Sequence, residues 1–256
     1  VDSSSVLING NKGSDTITLG VGGFTSGSVY GGNGNDTISA FLVRAAGGAV
    51  LATTAAGVFL SGDLGDDNIV GSDGFDDIEG GDGADVLNGG SGADAIDGGA
   101  GNDAITGGTE GDLIAGGSGN DRFIVAIGDS VVSAASPSFG FDSITDFVAN
   151  TGTAAGNTIN GDRIQFTVFA GLSYQQNANF ASAGTSLLDD LFNSEFFGGG
   201  FNAGDNDVFG VTITGAVAWA GNYIVSDTNA DGAVTVADNI VKLNTLSGIV
   251  ANTFIG

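Results

Sequence analysis

A nine-residue unit repeats seven times without a gap in residues 62–124. Aspartate occupies position six of every unit and an apolar residue occupies position eight, while positions one, two and four are mostly glycine. Glycine adopts positive φ angles without a Cβ clash, so the glycine-rich half of each unit suits a tight turn. The other half, with one inward apolar side chain, suits a short strand. The pattern therefore predicts a solenoid in which turns and strands alternate.

The aspartates at position six are candidate metal ligands. Two units are expected to form one coil, so their carboxylates stack along both edges of the solenoid, about 4.8 Å apart. Without a cation, neighbouring carboxylates at that spacing repel by roughly 3 kcal/mol at an effective dielectric of ~20. A Ca²⁺ ion removes this repulsion because it binds carboxylate and carbonyl oxygens together. The candidate ligands of the array are Asp67, Asp76, Asp85, Asp94, Asp103, Asp112 and Asp121.

Two further copies of the unit precede the array, in residues 10–18 and 31–39. The second copy matches every fixed position, whereas the first has Asn11 in place of one glycine. Asparagine also tolerates left-handed backbone angles. The two copies add Asp15 and Asp36 to the candidate ligands. Because the starts of the units are 21 and 31 residues apart, longer coils or inserted loops are expected between them.

The unit resembles GGxGxDxUx, the nonapeptide of RTX proteins, whose repeats wind into a parallel β-roll that binds Ca²⁺. The resemblance implies an all-β chain, a right-handed parallel β-roll (a β-solenoid) with a C-terminal β-rich cap, holding several Ca²⁺ ions. The alternative is a glycine-rich disordered linker. Such a linker would not keep an aspartate and an aliphatic residue in register seven times over.

The pattern predicts three regions along the chain. Residues 1–61 are expected to form an irregular N-terminal solenoid, residues 62–124 the seven-repeat roll, and residues 125–256 the cap. One helix is predicted at residues 187–197, ended by the glycines that follow. Strands are predicted near residues 6–8, 16–19, 37–43, 49–53, 58–60, 141–147, 161–166, 207–218, 222–225, 239–243 and 253–255.

The region after the array resembles a second family. The array is followed by DRFIV, then DSITDF, then GDRIQF, and this order is similar to the C-terminal domain of serralysin-type proteases. In that family the region caps the roll and carries an uncleaved signal for type I secretion at its extreme C-terminus. The final ANTFIG is similar to those tails. One departure is that the stretch of residues 167–205 is longer than the corresponding stretch in the protease pattern.

A second calcium signature falls within the predicted cap. Asp227, Asn229, Asp231 and Asp238 occupy positions 1, 3, 5 and 12 of a DxNxDG loop. The spacing resembles EF-hand and dockerin loops, but position 12 is aspartate instead of the usual glutamate, and this shorter carboxylate reaches a bidentate geometry less easily. The flanking sequences favour strands over EF-hand helices. An Asx-rich turn that holds no metal is the alternative.

Composition excludes several classes of function. The net charge of −25 argues against nucleic acid or an anionic membrane as partner. The sequence has no histidine and no cysteine, which removes histidine triads, HExxH zinc centres and thiol nucleophiles. The apolar stretch 40–60 carries Arg44 and three glycines, so strands are expected there and no membrane insertion. We therefore expect that the chain is not an enzyme.

The sequence favours a structural function. We expect a secreted, extracellular or cell-surface protein, exported by the type I secretion machinery, folded by Ca²⁺ and self-assembling into a surface layer or filament. Its partner would then be further copies of itself, because an open parallel edge is a template for another chain. The alternative is the calcium-binding secretion module at the C-terminus of a larger secreted hydrolase, toxin or adhesin.

Overall fold

All regular structure among the described residues is β-strand. The structure is a computed structural model, and it describes residues 4–19, 24–40, 57–126, 128–129, 140–148, 161–166, 173–181, 207–214, 220–226, 239–245 and 254–255. In these ranges no helix is present that could span a lipid bilayer. The chain divides into two compact units, Val1–Phe123 and Ile124–Gly256.

The first unit is built from short strands that alternate between two parallel sheets. One sheet has the order β1-β3-β5-β7-β9-β11, and the other contains β2, β4, β6, β8, β10 and β12 in the same sequential manner. The strands are β1 Ser4–Asn9, β2 Thr16–Thr18, β3 Phe24–Asn33, β4 Thr37–Ser39, β5 Val58–Leu64, β6 Asn68–Val70, β7 Asp77–Asp82, β8 Val86–Ser91, β9 Ala95–Ala100, β10 Ala104–Thr109, β11 Leu113–Ala115 and β12 Arg122–Val125. This alternation of parallel strands confirms the predicted β-roll.

The register confirms that two nonapeptides make one coil. Within the array the paired residues are 18 positions apart, as in Ile78 with Ile96 and Leu87 with Ile105. Before the array the coils are longer, because Ile38 pairs with Ile69, 31 positions away. The two isolated units therefore stack on the array in the same two sheets.

Four strands of the array are longer than the three residues that the apolar half of the unit suggests, whereas β6 and β11 have three. The strands β7, β8, β9 and β10 each have six residues and run from position seven of one unit to position three of the next. Glycines at positions one and two thus take part in the parallel pairing, as Gly81 does with Gly99. The glycine-rich half is therefore strand as well as turn.

Position eight supplies the core of the roll. Its side chain is 3% exposed or less in every unit except the first, where Ile17 is only partly buried. Position seven points the other way on the same strand, and Val86 and Leu113 are about half exposed there. Position eight thus contributes one buried apolar side chain per unit, and Val29 and Leu60 extend the same core on β3 and β5. The buried position-eight residues are Ile38, Ile69, Ile78, Leu87, Ile96, Ile105, Ile114 and Phe123.

The second unit combines parallel and antiparallel pairs. One sheet has the order β13-β18-β17-β16-β15, with antiparallel pairing of β16 with β17 and of β17 with β18, and β14 pairs with β19 in parallel. The Phe141 and Tyr223 rings meet edge to face at 5.7 Å in its core. The strands are β13 Ser143–Ile144, β14 Arg163–Phe166, β15 Ser173–Ala181, β16 Asp207–Thr214, β17 Gly221–Ser226, β18 Asn239–Leu243 and β19 Phe254–Ile255.

Most of the predicted strands that fall on described residues are present, but two observed strands were not predicted. These are β3 and β15, whose sequences are rich in glycine and serine or in polar amides. The predicted helix at residues 187–197 and the predicted strand at 49–53 lie outside the described residues. The division into regions 1–61, 62–124 and 125–256 stays a prediction.

Candidate metal centre

The position-six aspartates lie at the turns immediately before the strands, and their carboxylates are buried. Asp85, for example, directly precedes β8, and Asp94 directly precedes β9. Asp15 is half-buried. The other eight are 2% exposed or less: Asp36, Asp67, Asp76, Asp85, Asp94, Asp103, Asp112 and Asp121. Burial of so many acidic groups is costly unless each carboxylate is matched by hydrogen bonds or a cation.

One oxygen of each of these eight buried carboxylates accepts a backbone hydrogen bond from the preceding coil. Asp94 Oδ1 accepts the Asp76 N–H at 2.8 Å, and Asp112 Oδ1 accepts the Asp94 N–H at 2.8 Å. The other edge repeats this arrangement, with Asp85 Oδ1 accepting the Asp67 N–H at 2.7 Å. The aspartates thus form two ladders, in which each member orders the turn of the coil before it. The ladders run through Asp15, Asp36, Asp67, Asp85, Asp103 and Asp121, and through Asp76, Asp94 and Asp112.

The second oxygen faces the position-one glycine of its own unit. A Cβ on Gly89 would overlap both Asp94 Oδ2 and the carbonyl oxygen of Gly107, which is the position-one glycine of the next coil. The same overlap recurs at Gly62, with Asp67 Oδ2 and a glycine carbonyl. Glycine is required at position one because a carboxylate oxygen and a carbonyl oxygen converge there. Buried Oδ2 atoms without a hydrogen-bond partner belong to Asp15, Asp36, Asp67, Asp85, Asp94 and Asp103.

Burial is also the main cause of the pKa shifts in these ladders. It raises the pKa of Asp94 to about 8, of Asp67 to about 7 and of Asp85 to about 6. Backbone hydrogen bonds to the carboxylates act in the opposite direction, and the neighbouring acidic groups of the ladder raise the values further. In the metal-free roll, burial therefore disfavours the charged form of these three aspartates, most strongly that of Asp94, whereas a cation would favour the charged form.

Comparison with known families identifies this array. The family described as RTX calcium-binding nonapeptide repeat (4 copies) matches residues 28–40, 61–96 and 97–132. The array is an RTX calcium-binding repeat. The match ends at residue 132, so the resemblance of the C-terminal region to serralysin-type proteases stays a prediction. No curated protein matches the chain.

One solved structure is similar in outline. It is the solution structure of the AlgE6R3 subunit from the Azotobacter vinelandii mannuronan C5-epimerase, at 24% identity over 83% of this chain and 85% of that chain. The TM-score of the comparison is 0.27.

The RTX array offers the oxygen atoms that Ca²⁺ prefers. Calcium takes six to eight oxygen ligands, and both carboxylates and backbone carbonyls serve. In the residues that the structure describes, no three acidic side chains come together as a metal-binding group. A cation in the array would therefore be held by one or two aspartates, such as Asp94 and Asp112, together with glycine carbonyls. When bound, it would neutralise the buried carboxylates.

The predicted loop in the second unit is not tested. Asp227, Asn229, Asp231 and Asp238 lie outside the described residues. They stay predicted calcium ligands.

Two groups of buried polar residues were missed by sequence reasoning. In the second unit Asp162 Oδ2 accepts the Val148 N–H at 2.7 Å, and burial raises the pKa of Asp129. In the RTX array both the N–H and the hydroxyl of Ser72 donate to the aspartate of the same unit, Asp76. The only sequence signal was that position two of this unit is serine where most units have glycine.

Proposed function

We propose that this protein is an extracellular structural protein that Ca²⁺ folds and that assembles with copies of itself into a surface layer or filament. The observation that carries the calcium part is the pair of aspartate ladders, in which buried Oδ2 atoms such as those of Asp67 and Asp94 have no hydrogen-bond partner. A bound cation supplies the missing partner. Metal binding then contributes directly to the free energy of folding.

Calcium-dependent folding suits export by type I secretion. In a calcium-poor cytoplasm the chain would remain unfolded and could pass through a secretion channel, whereas calcium outside the cell would fold it. The absence of cysteine in the sequence fits this route, because the metal takes the stabilising role that disulfides have in many secreted proteins.

Self-assembly is supported by the terminal strands of the first unit. Among the described residues, β1 and β2 each lie at an end of their sheet with no strand pairing on the outer side. Unpaired N–H and C=O groups on such an edge are a template for another chain. Leu7 on β1 is 74% exposed, which adds apolar surface at the same edge.

The assembly proposal is tested by light scattering and electron microscopy of the intact chain with millimolar calcium. We expect ordered polymers from the wild type and loss of polymers when residues 1–30 are deleted, with calcium binding by the 62–124 array retained. Leu7→Lys should weaken assembly, whereas Leu113→Lys, an exposed leucine inside the array, should not. A wild-type protein that stays monomeric in millimolar calcium contradicts self-assembly.

The second candidate function is the secretion module of a larger hydrolase, toxin or adhesin. It shares the calcium chemistry of the array, so calcium binding does not separate the two. The mass of the intact native protein does: a product near 25.0 kDa supports assembly, and a much larger product supports the module.

A further inference from the structure

One unit of the array departs from the others in its backbone. Position two has a positive φ in the other eight units of the chain, including Asn11 and Asp63, but Ser72 does not. Gly74, at position four of the same unit, also lacks the positive φ found at position four elsewhere. The turn at residues 72–74 therefore has a different conformation from its counterparts.

The departure turns Ser72 toward the carboxylate of its own unit. The Ser72 N–H donates to Asp76 Oδ2 at 2.5 Å, and its hydroxyl donates to the same oxygen at 2.9 Å. The Gly74 N–H donates to Ser72 Oγ at 3.3 Å, which holds the hydroxyl in place. On the other oxygen, Asp76 Oδ1 accepts the Val58 N–H at 3.0 Å. Both oxygens of this carboxylate are thus satisfied by the protein.

The matched position in the next coil shows the contrast. Asp94 belongs to the same ladder as Asp76, is buried to the same extent and accepts a backbone N–H on Oδ1 in the same way. Its Oδ2, however, has no hydrogen-bond partner, because position two of its unit is Gly90 with a φ of 105°. The difference between the two sites therefore comes from the residue and conformation at position two.

We propose that Ser72 takes the place of a calcium ion at Asp76, so that this turn of the array is closed by hydrogen bonds and binds no metal there. Two donors on Oδ2 stabilise the buried charge locally. As in the other units, the carboxylate oxygen still faces the position-one glycine, here Gly71, so what distinguishes this site is the pair of donors that Ser72 supplies to Asp76 Oδ2. This inference rests on the proposed calcium dependence of the array.

The experiment counts bound calcium ions by isothermal titration calorimetry and equilibrium dialysis at pH 7.5. Ser72→Gly restores the residue that most units have at position two, and we expect it to bind one more ion than the wild type. Ser72→Thr keeps the hydroxyl and should match the wild type. Ser91→Gly, at position three of the next coil, is the control for the loss of a serine and should also leave the number unchanged.

The outcomes separate this inference from the proposed function. A Ser72→Gly variant that is folded in calcium, as judged by circular dichroism, and binds the same number of ions as the wild type overturns the role of Ser72 while leaving calcium-dependent folding intact. A wild-type chain that binds no calcium overturns both. An equal gain of bound calcium ions in Ser72→Gly and Ser91→Gly also contradicts the inference. The gain would then come from the backbone flexibility that any serine-to-glycine change adds, and not from the loss of the Ser72 hydrogen bonds.

Discussion

Buried and exposed aspartates of the same array are expected to contribute differently to calcium-dependent folding. Asp94 is 2% exposed and accepts the Asp76 N–H, whereas Asp82, at position three, is exposed. Loss of the Asp94 carboxylate leaves a buried N–H unsatisfied at a cost of about 1–3 kcal/mol and removes a candidate ligand. We expect Asp94→Ala to destabilise the calcium-bound fold by about 1–3 kcal/mol and therefore to raise the calcium concentration at the folding midpoint.

Asp82→Ala is the matched control and should leave that midpoint nearly unchanged. Calcium titrations followed by circular dichroism measure both variants. Equal midpoints would show that the register of buried and exposed aspartates is wrong.

At the residue scale the sequence predicts which aspartates stack along the edges of the roll, but neither their burial nor how each oxygen is used. The fixed spacing of position six was enough to select Asp36, Asp67 and their counterparts as a stacked set. Oδ1 accepts a backbone N–H and Oδ2 faces a glycine because of where the backbone of the neighbouring coil lies. The local sequence pattern does not contain that information. The role of Ser72 was missed for the same reason, because it follows from a φ angle and not from the residue type alone.

At the scale of the element, the strand pattern separates an inward from an outward apolar position. Ile96, at position eight, is 3% exposed, whereas Leu113, at position seven, is 55% exposed. Ile96→Asp would bury an unpaired charge in a core one side chain thick, and we expect a loss of at least ~3 kcal/mol in the free energy of unfolding. Leu113→Asp should change it by less than ~0.5 kcal/mol, as surface substitutions do.

Urea unfolding in saturating calcium provides the measurement for these two variants. Similar losses in both would mean that position seven is as buried as position eight in solution.

The elements also show where periodicity succeeds and fails as a predictor. Short strands with an apolar residue at a fixed place, such as β4 and β6, were located from the sequence. The ten-residue strand β3 was not, because its sequence FTSGSVYGGN has no regular alternation. It is a strand because β1 and β5 pair with it on both sides, so tertiary pairing outweighs its weak local preference.

At the scale of the whole molecule, the charge state of the ladders governs folding without calcium. The raised pKa values of Asp67, Asp85 and Asp94 mean that the metal-free fold binds protons more tightly than the unfolded chain does. The stability that these groups contribute is fully present below the unfolded value of 3.8 and is lost as the pH rises through about 6 to 8. The metal-free roll should therefore be least stable at and above neutral pH.

We expect calcium-stripped protein to be largely disordered at pH 8 and to gain β-sheet signal in far-ultraviolet circular dichroism as the pH is lowered to 5. Protons and calcium would then stabilise the same buried carboxylates in different ways, so the calcium affinity should fall over the same pH range. A parallel titration of Asp94→Ala is the control, and its gain of signal should be smaller because one titrating group is missing. A β-sheet spectrum at pH 8 that is unchanged after calcium removal would contradict both the pH dependence and the calcium requirement. The core of the roll would then be sufficient by itself to bury its aspartates.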